Sequence, residues 1–200
     1  MQLRIGKDEQ DWVDLAWNWI HQEVLLGQSV FMPAGLTPQP LYRRCANEPT
    51  ELLRSLRMMQ LDEILTGPLK GCFRQFLEVE LAPFVHQMQW IDRADEWADV
   101  AILGVGVNGH VAFHEPFLKP SFASGCVLLS EEIQKYLDLQ QPTWGITYGV
   151  ATFLRAKKIL VLARGEKKRQ VLLRAIRERN LPISWILEHA NVTLITDFEL

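Results

Sequence analysis

The run Ala98-Asp99-Val100-Ala101-Ile102-Leu103-Gly104-Val105 constrains this chain more than any other stretch. Its apolar residues do not alternate with polar ones, so both faces of the predicted strand must be covered, as in the middle of a parallel sheet flanked by helices. Ser29–Met32, Met58–Leu61, Lys158–Ala163 and Val192–Thr196 read as further short buried strands. Residues 8–26 and 72–88 carry apolar stripes at helical spacing, although Pro83 interrupts the second, and a basic helix is expected from about Glu166 to Arg179. Strands alternating with helices predict an α/β fold, a three-layer α/β/α sandwich with a mainly parallel, Rossmann-like sheet. In such folds ligands lie beyond the carboxyl ends of the strands, and every motif considered below is expected at such an end.

The 200 residues suit one domain, 1–200, with no repeat and no Ser/Gly-rich linker dividing it. A net charge of -3 gives no general positive field for nucleic acid or a membrane surface, so an anionic ligand must be held by local donors. No apolar run reaches transmembrane length, and the first eight residues have no signal-peptide core. Cys45, Cys72 and Cys126 are scattered and none forms a CxxC pair. Buried, reduced thiols and a cytoplasmic location are therefore expected, rather than disulfides or structural zinc.

Four stretches could carry chemistry. Ala34-Gly35-Leu36-Thr37-Pro38 follows a strand and opens a helix, so its successive N–H groups and the Thr37 hydroxyl could hold an anion; equally, it could be a Gly/Pro connector with a helix cap. Asp62-Glu63 ends a predicted strand, where a carboxylate could act as a general base, although acids also begin helices because they complement the dipole. Gly104-Val105-Gly106-Val107-Asn108-Gly109-His110-Val111-Ala112-Phe113-His114-Glu115-Pro116 contains a G-x-G-x-x-G string. A dinucleotide site is disfavoured there, because the string lies past mid-chain, Pro116 follows closely, and no clean acid ends a strand about twenty residues on. His110 and His114 hint at a metal only if the segment were helical, which the Asn-Gly turn and Pro116 oppose. A histidine followed five residues later by a glutamate instead suggests an imidazole tuned for acid/base work near neutral pH. Last, Gly165-Glu166-Lys167-Lys168-Arg169 places Lys168 near a helix start at a strand end, able to meet phosphate or to form a solvated basic face.

Taken together, Met32–Pro38, Leu61-Asp62-Glu63, Gly104–Pro116, Thr147–Lys168 and Ile183–Asp197 resemble, in order, the glucosamine-6-phosphate deaminase and galactosamine-6-phosphate isomerase family, and more distantly the 6-phosphogluconolactonases. The Gly-His-Val-Ala-Phe-His-Glu-Pro string is close to that family's Gly-His-Ile-Ala-Phe-Asn-Glu-Pro, and Glu115 favours the amino-sugar branch. The resemblance implies that Ala34, Gly35, Leu36 and Thr37, with Gly109 and Lys168, hold the substrate and its phosphate. It further implies that Asp62 moves a proton from C2 to C1, that His110, oriented by Glu115, opens the sugar ring, and that Lys135 stands where the family has a phosphate-contacting arginine. No cofactor and no metal is implied. The expected partner is a small-molecule sugar phosphate, with the chain a monomer or homo-oligomer and neither nucleic acid nor membrane engaged.

Two departures stand out. Asn108 replaces the family's aspartate and can hydrogen-bond but cannot lend negative charge to imidazolium. A lid over about 117–141 is expected to be shortened, and the C-terminal segment used for allosteric control in hexameric relatives to be missing. The expected activity is therefore aldose–ketose isomerisation of a hexosamine 6-phosphate, with or without loss of ammonia. The alternatives are lactone hydrolysis or sugar-phosphate binding without turnover.

Overall fold

Through the centre of the computed structural model, which describes residues 1–135 and 137–200, seven strands run side by side, every neighbouring pair parallel. In chain order they are β1 (Gln2–Ile5), β2 (Ser29–Met32), β3 (Arg57–Gln60), β5 (Met88–Gln89), β6 (Val100–Gly104), β9 (Lys158–Leu162) and β10 (Val192–Thr196). Their spatial order is β1-β10-β9-β6-β2-β3-β5. From β2 the chain fills the sheet outward through β3 to β5. It then returns to place β6 against the other side of β2 and continues through β9 to β10. Strand order thus reverses between β2 and β6, where a ligand crevice opens in doubly wound sheets.

The unbroken apolar runs are explained by the two layers of helices. Val30, Met32, Val100, Ile102, Leu160 and Leu162 point to one face. They meet Trp12, Ala16 and Trp19 of α1 (Glu9–Glu23), Leu41 and Tyr42 of α2 (Gln39–Asn47), Leu53 of α3 (Glu51–Ser55) and Leu77 of α4 (Cys72–Glu80). Phe31, Ala101, Leu103, Ile159 and Val161 point to the other face. There they meet Phe153 of α6 (Val150–Phe153), Leu172 and Ala175 of α7 (Glu166–Glu178), and Ile183 and Ile186 of α8 (Pro182–Leu187). Alternation along each strand sends successive apolar residues to opposite cores, so a central strand in this position has no place for a polar face.

The structure departs from the sequence expectations in three places. The stripe over 72–88 is not one helix: α4 stops at Glu80 and a 3-10 turn over Ala82–Gln87 takes its place. Pro83 has no N–H to donate, and its ring would clash with the carbonyl four residues earlier. The N-terminal residues form β1, an edge strand whose short half-exposed run gave no periodic signal. The third concerns the segment between Glu115 and Pro142, which contains β7 (Ser124–Leu128) and α5 (Glu131–Tyr136). With β4 (Asp62–Ile64) and β8 (Trp144–Tyr148), β7 builds a second, antiparallel sheet of order β4-β8-β7. Ile64, Phe113, Val127, Leu129, Ile133 and Leu139 bury one another beneath it as a third, smaller core. Among the described residues no helix is long and apolar enough to cross a membrane.

Leu61 marks the step of the chain from one sheet to the other, and the side chains around it hold that step. The Gln60 amide donates to the Asp62 carbonyl and to the Glu63 carboxylate, each at 2.9 Å. Glu63 also accepts from the N–H groups of Ile64 (2.8 Å), Phe73 (3.2 Å) and Arg74 (2.7 Å). It therefore caps α4, whose own preceding residue, Gly71, has no side chain to do so. A carboxylate filled by four donors is intolerant of an added N–H. Glu63→Gln should lower stability by about 3 kcal/mol, read from the midpoint of urea unfolding at constant slope.

Candidate functional site

The residues singled out in the sequence are set along the carboxyl edge of the parallel sheet in the order of the strands. Asp62 follows β3, Ala34–Thr37 follow β2, the Gly104–Pro116 segment follows β6, and Lys168 lies in the first turn of the helix after β9. The middle two flank the reversal point.

After β6 the chain makes a tight turn closed by Gly109 N–H to Gly106 O (3.0 Å) and Gly106 N–H to His110 O (2.9 Å). The imidazole of His110 folds back over Gly106 so closely that a methyl group there would overlap the ring. The backbone N–H of His110 donates to Asn108 Oδ1 at 3.0 Å. That contact fixes the amide orientation, because an N–H can only meet the oxygen. Asn108 Nδ2 accordingly donates to Glu115 Oε2 at 2.9 Å, and Oδ1, 2.7 Å from His110 Nδ1, accepts a hydrogen bond from Nδ1–H. The neutral ring therefore carries its hydrogen on Nδ1 and keeps a free lone pair on Nε2. Glu115 Oε1 stands 3.5 Å from Nδ1, and its side chain is 3% exposed against 23% for His110. Asn108 is thus the immediate orienting partner, with Glu115 behind it. Burial, reinforced by the Lys168 charge, lowers the His110 pKa to about 4, while burial raises that of Glu115 against the opposing Asn108 and Ser130 hydrogen bonds.

Asp62 sits opposite Thr147 in the β4–β8 pair, so the two side chains share one face. The Thr147 hydroxyl accepts from Phe113 N–H (3.1 Å) and donates to Tyr148 O (2.7 Å), tying this strand pair to the His110–Pro116 segment. Asp62 is buried, and desolvation together with the neighbouring Glu63 charge raises its pKa to about 8.

At the other end of the edge, Lys168 bonds its ammonium to the Val105 carbonyl. A cation in the first turn of a helix opposes the dipole, an arrangement unfavourable unless an anion joins it. Burial lowers its pKa, with Glu132 on α5 opposing. In the β2 loop Gly35 has φ +119, a conformation that side chains resist, with open space where a Cβ would stand. Among the described residues, the N–H groups of Ala34, Gly35, Leu36 and Thr37 meet no acceptor in the protein.

Two expected residues stand apart, Gly109 and Lys135, and so does His114, whose pairing with His110 on a metal the sequence already disfavoured. Gly109 (φ +93) has both backbone groups engaged within the protein, its N–H as above and its carbonyl by Ile183 N–H at 3.1 Å, and a Cβ would reach within 2.8 Å of Leu181. It makes the turn and offers no donor to a ligand. Lys135 is exposed, two positions beyond the buried Ile133 of α5 and hence on the opposite side of that helix, beside Glu131, Gln134 and Asp138. His114 is fully buried between Phe122 and Trp185, with Nδ1 accepting from Val150 N–H at 3.0 Å, and does not pair with His110. No group of three or more His, Cys, Asp or Glu side chains among the described residues is placed to hold a metal. Sequence reasoning missed Gly106 and Thr147. The Gly-x-Gly pattern was the available signal for the first, whereas a hydroxyl acting across strands leaves none.

Residues 75–195 match the family model described as glucosamine-6-phosphate isomerases/6-phosphogluconolactonase. The chain is 34% identical over 110 residues to a glucosamine-6-phosphate deaminase of Halalkalibacterium halodurans, taking in 50% of this chain and 45% of that protein. It is 36% identical over 110 residues to one of Clostridium novyi, with the same coverage of 50% and 45%. The aligned stretch thus spans about half the length of the curated relatives it matches. Among solved structures, a monomeric glucosamine-6-phosphate deaminase superposes with a TM-score of 0.80 at 20% identity, over 98% of this chain and 97% of that one. A 6-phosphogluconolactonase from Leishmania guyanensis does so with a TM-score of 0.77 at 18% identity, over 98% and 95%. At such identities the likeness is one of fold.

Burial and the Lys168 charge keep the ring neutral, and an acid at position 108 would oppose both by favouring imidazolium. Titrated by NMR, His110 should stay neutral, with its hydrogen on Nδ1, down to about pH 5. Asn108→Asp should raise its midpoint by at least about one unit, as an opposite charge at contact distance does.

Proposed function

We infer the activity from one premise: the chain belongs to the family of glucosamine-6-phosphate isomerases and 6-phosphogluconolactonases. The reading best supported is aldose-to-ketose isomerisation of a hexosamine 6-phosphate, with the imine at C2 then hydrolysed to release ammonia. The observation that carries it is a buried carboxyl after β3 and a half-buried imidazole after β6, at the carboxyl ends of the sheet, whose pKa values are pushed in opposite directions, Asp62 to about 8 and His110 to about 4. Groups driven apart in this way divide acid and base work between them.

In this reading the phosphate is held by the free N–H groups of Ala34–Thr37 and by Lys168, whose charge opposes the helix dipole until an anion arrives. His110 Nε2 takes the proton of the anomeric hydroxyl and delivers it to the ring oxygen, which opens the ring. The Asn108 carbonyl holds the imidazole while it is positive, and Glu115 supplies the charge one bond further back. Asp62, as the carboxylate, removes the C2 proton to give an enolamine and returns it at C1. Water then adds at C2 and ammonia leaves. Neither Lys135 nor Gly109 is needed.

Hydrolysis of a sugar-phosphate lactone is the second reading, favoured by the free lone pair on His110 Nε2, which could activate water unaided. The two are separated by assay: hexosamine 6-phosphates should yield ketose phosphate and ammonia, and a lactone should not be turned over faster than its background rate. Asp62→Asn should lower kcat/KM for the amino sugar by about 1000-fold. Because only the ionised acid can take the proton, kcat/KM should rise with pH up to about 8.

The same acid governs a stability effect. An acid whose folded-state pKa exceeds its unfolded one weakens the fold progressively as pH rises from about 4 to about 8. Asp62→Asn should therefore melt higher than the unaltered chain at pH 8, by about 5 °C, with the gap closing towards pH 4. A loss of turnover accompanied by a gain in Tm identifies a functional acid and is not the signature of a damaged fold.

A further inference from the structure

Tyr42 is completely buried, and its hydroxyl donates to the carbonyl of Pro33 at 2.7 Å. Its backbone N–H bonds the Pro38 carbonyl at 3.0 Å. One residue of α2 thus grips both ends of the loop that contains Ala34–Thr37. The first bond matters more for chemistry. The peptide joining Pro33 to Ala34 is planar and trans, so its C=O and N–H point in opposite directions. With the carbonyl drawn into the apolar layer beneath α2, the Ala34 N–H must point out of that layer, towards the open end of β2. Were the peptide to turn over, an oxygen would face the position where an anion is to be received.

We propose that Tyr42 is a positioning residue whose hydroxyl holds the Pro33–Ala34 peptide with its N–H turned to the crevice, making the loop a receptor for phosphate. This rests on the reading above, in which Ala34–Thr37 take the phosphate of the substrate. Tyr42 touches neither substrate nor reacting atoms. It acts on ground-state binding, and its loss should appear in KM and leave kcat largely intact. The buried surroundings strengthen the device. A phenyl ring in place of the phenol would leave the Pro33 carbonyl without a donor among apolar side chains, and turning outward is the way for it to regain one.

The test is inorganic phosphate binding, measured by calorimetry and by the shift of the Ala34 amide resonance. The unaltered chain should bind phosphate and move the Ala34 amide downfield. Tyr42→Phe should bind phosphate about tenfold or more weakly and leave the Ala34 amide unmoved. Leu41→Val, which loosens the same helix without touching the hydroxyl, should bind phosphate as the unaltered chain does and separates positioning from general destabilisation. Undiminished phosphate affinity in Tyr42→Phe, an equal loss in Leu41→Val, or an Ala34 amide indifferent to phosphate in the unaltered chain overturns the proposal. Failure of the proposed activity looks different: no turnover of any hexosamine phosphate, with phosphate binding and its dependence on Tyr42 both intact.

Discussion

Strands β3 and β5 are laid down on one side of β2, and β6, β9 and β10 on the other, so the chain leaves β2 and β6 towards opposite faces of the sheet. The gap between their carboxyl ends is the place at which doubly wound sheets receive ligands. The remaining features of the site depend on it. The β2 loop presents N–H groups that meet no acceptor among the described residues. The Gly104–Pro116 segment folds a histidine back over a glycine and is held there by Lys168 of α7, Ile183 of α8 and Thr147 of β8. The acid after β3 stands where the chain steps into a second sheet, with Asp62 and Glu63 sent to opposite sides by strand alternation.

Burial then divides the work among the titratable groups. Removing water disfavours whichever form is charged, so the same surroundings raise an acid and lower an imidazole. Asp62 and His110 diverge without any direct contact between them being required. Neighbouring charges add to the divergence: Glu63 beside Asp62, and Lys168 near His110. Asn108 fits this scheme. An aspartate in its place would favour imidazolium, whereas the amide fixes ring and tautomer while keeping the base neutral, with Glu115 held in reserve behind it.

The parallel sheet was legible because a strand buried on both faces has nowhere to place a polar residue, and Val100–Leu103 and Ile159–Leu162 carry none. Asp62, His110, Glu115 and Lys168 were legible as polar candidates at strand ends, and their relative placement follows from strand order, which local patterns do not encode. The Glu63 cap was not, because its donors lie ten and eleven residues on, across a turn. Nor was the second sheet: β4 has three residues, and β7 mixes exposed and buried positions in a way no short window distinguishes from a loop. Lys135 and Gly109 show the limit of matching by position alone. Helix phase turned one outward, and the needs of a tight turn engaged both backbone groups of the other.

The third core has a consequence for how such a molecule can change over time. Since Val127, Leu129, Ile133 and Leu139 bury one another together with Ile64 and Phe113, and not the faces of the parallel sheet, the layer built on β7 and α5 has a core of its own. Residues can be gained, lost or exchanged between Pro116 and Pro142 while the register of β6 against β9 stays as it is. Change in this layer can therefore leave the cores of the parallel sheet in place, while reaching the segment that bears His110 through Phe113.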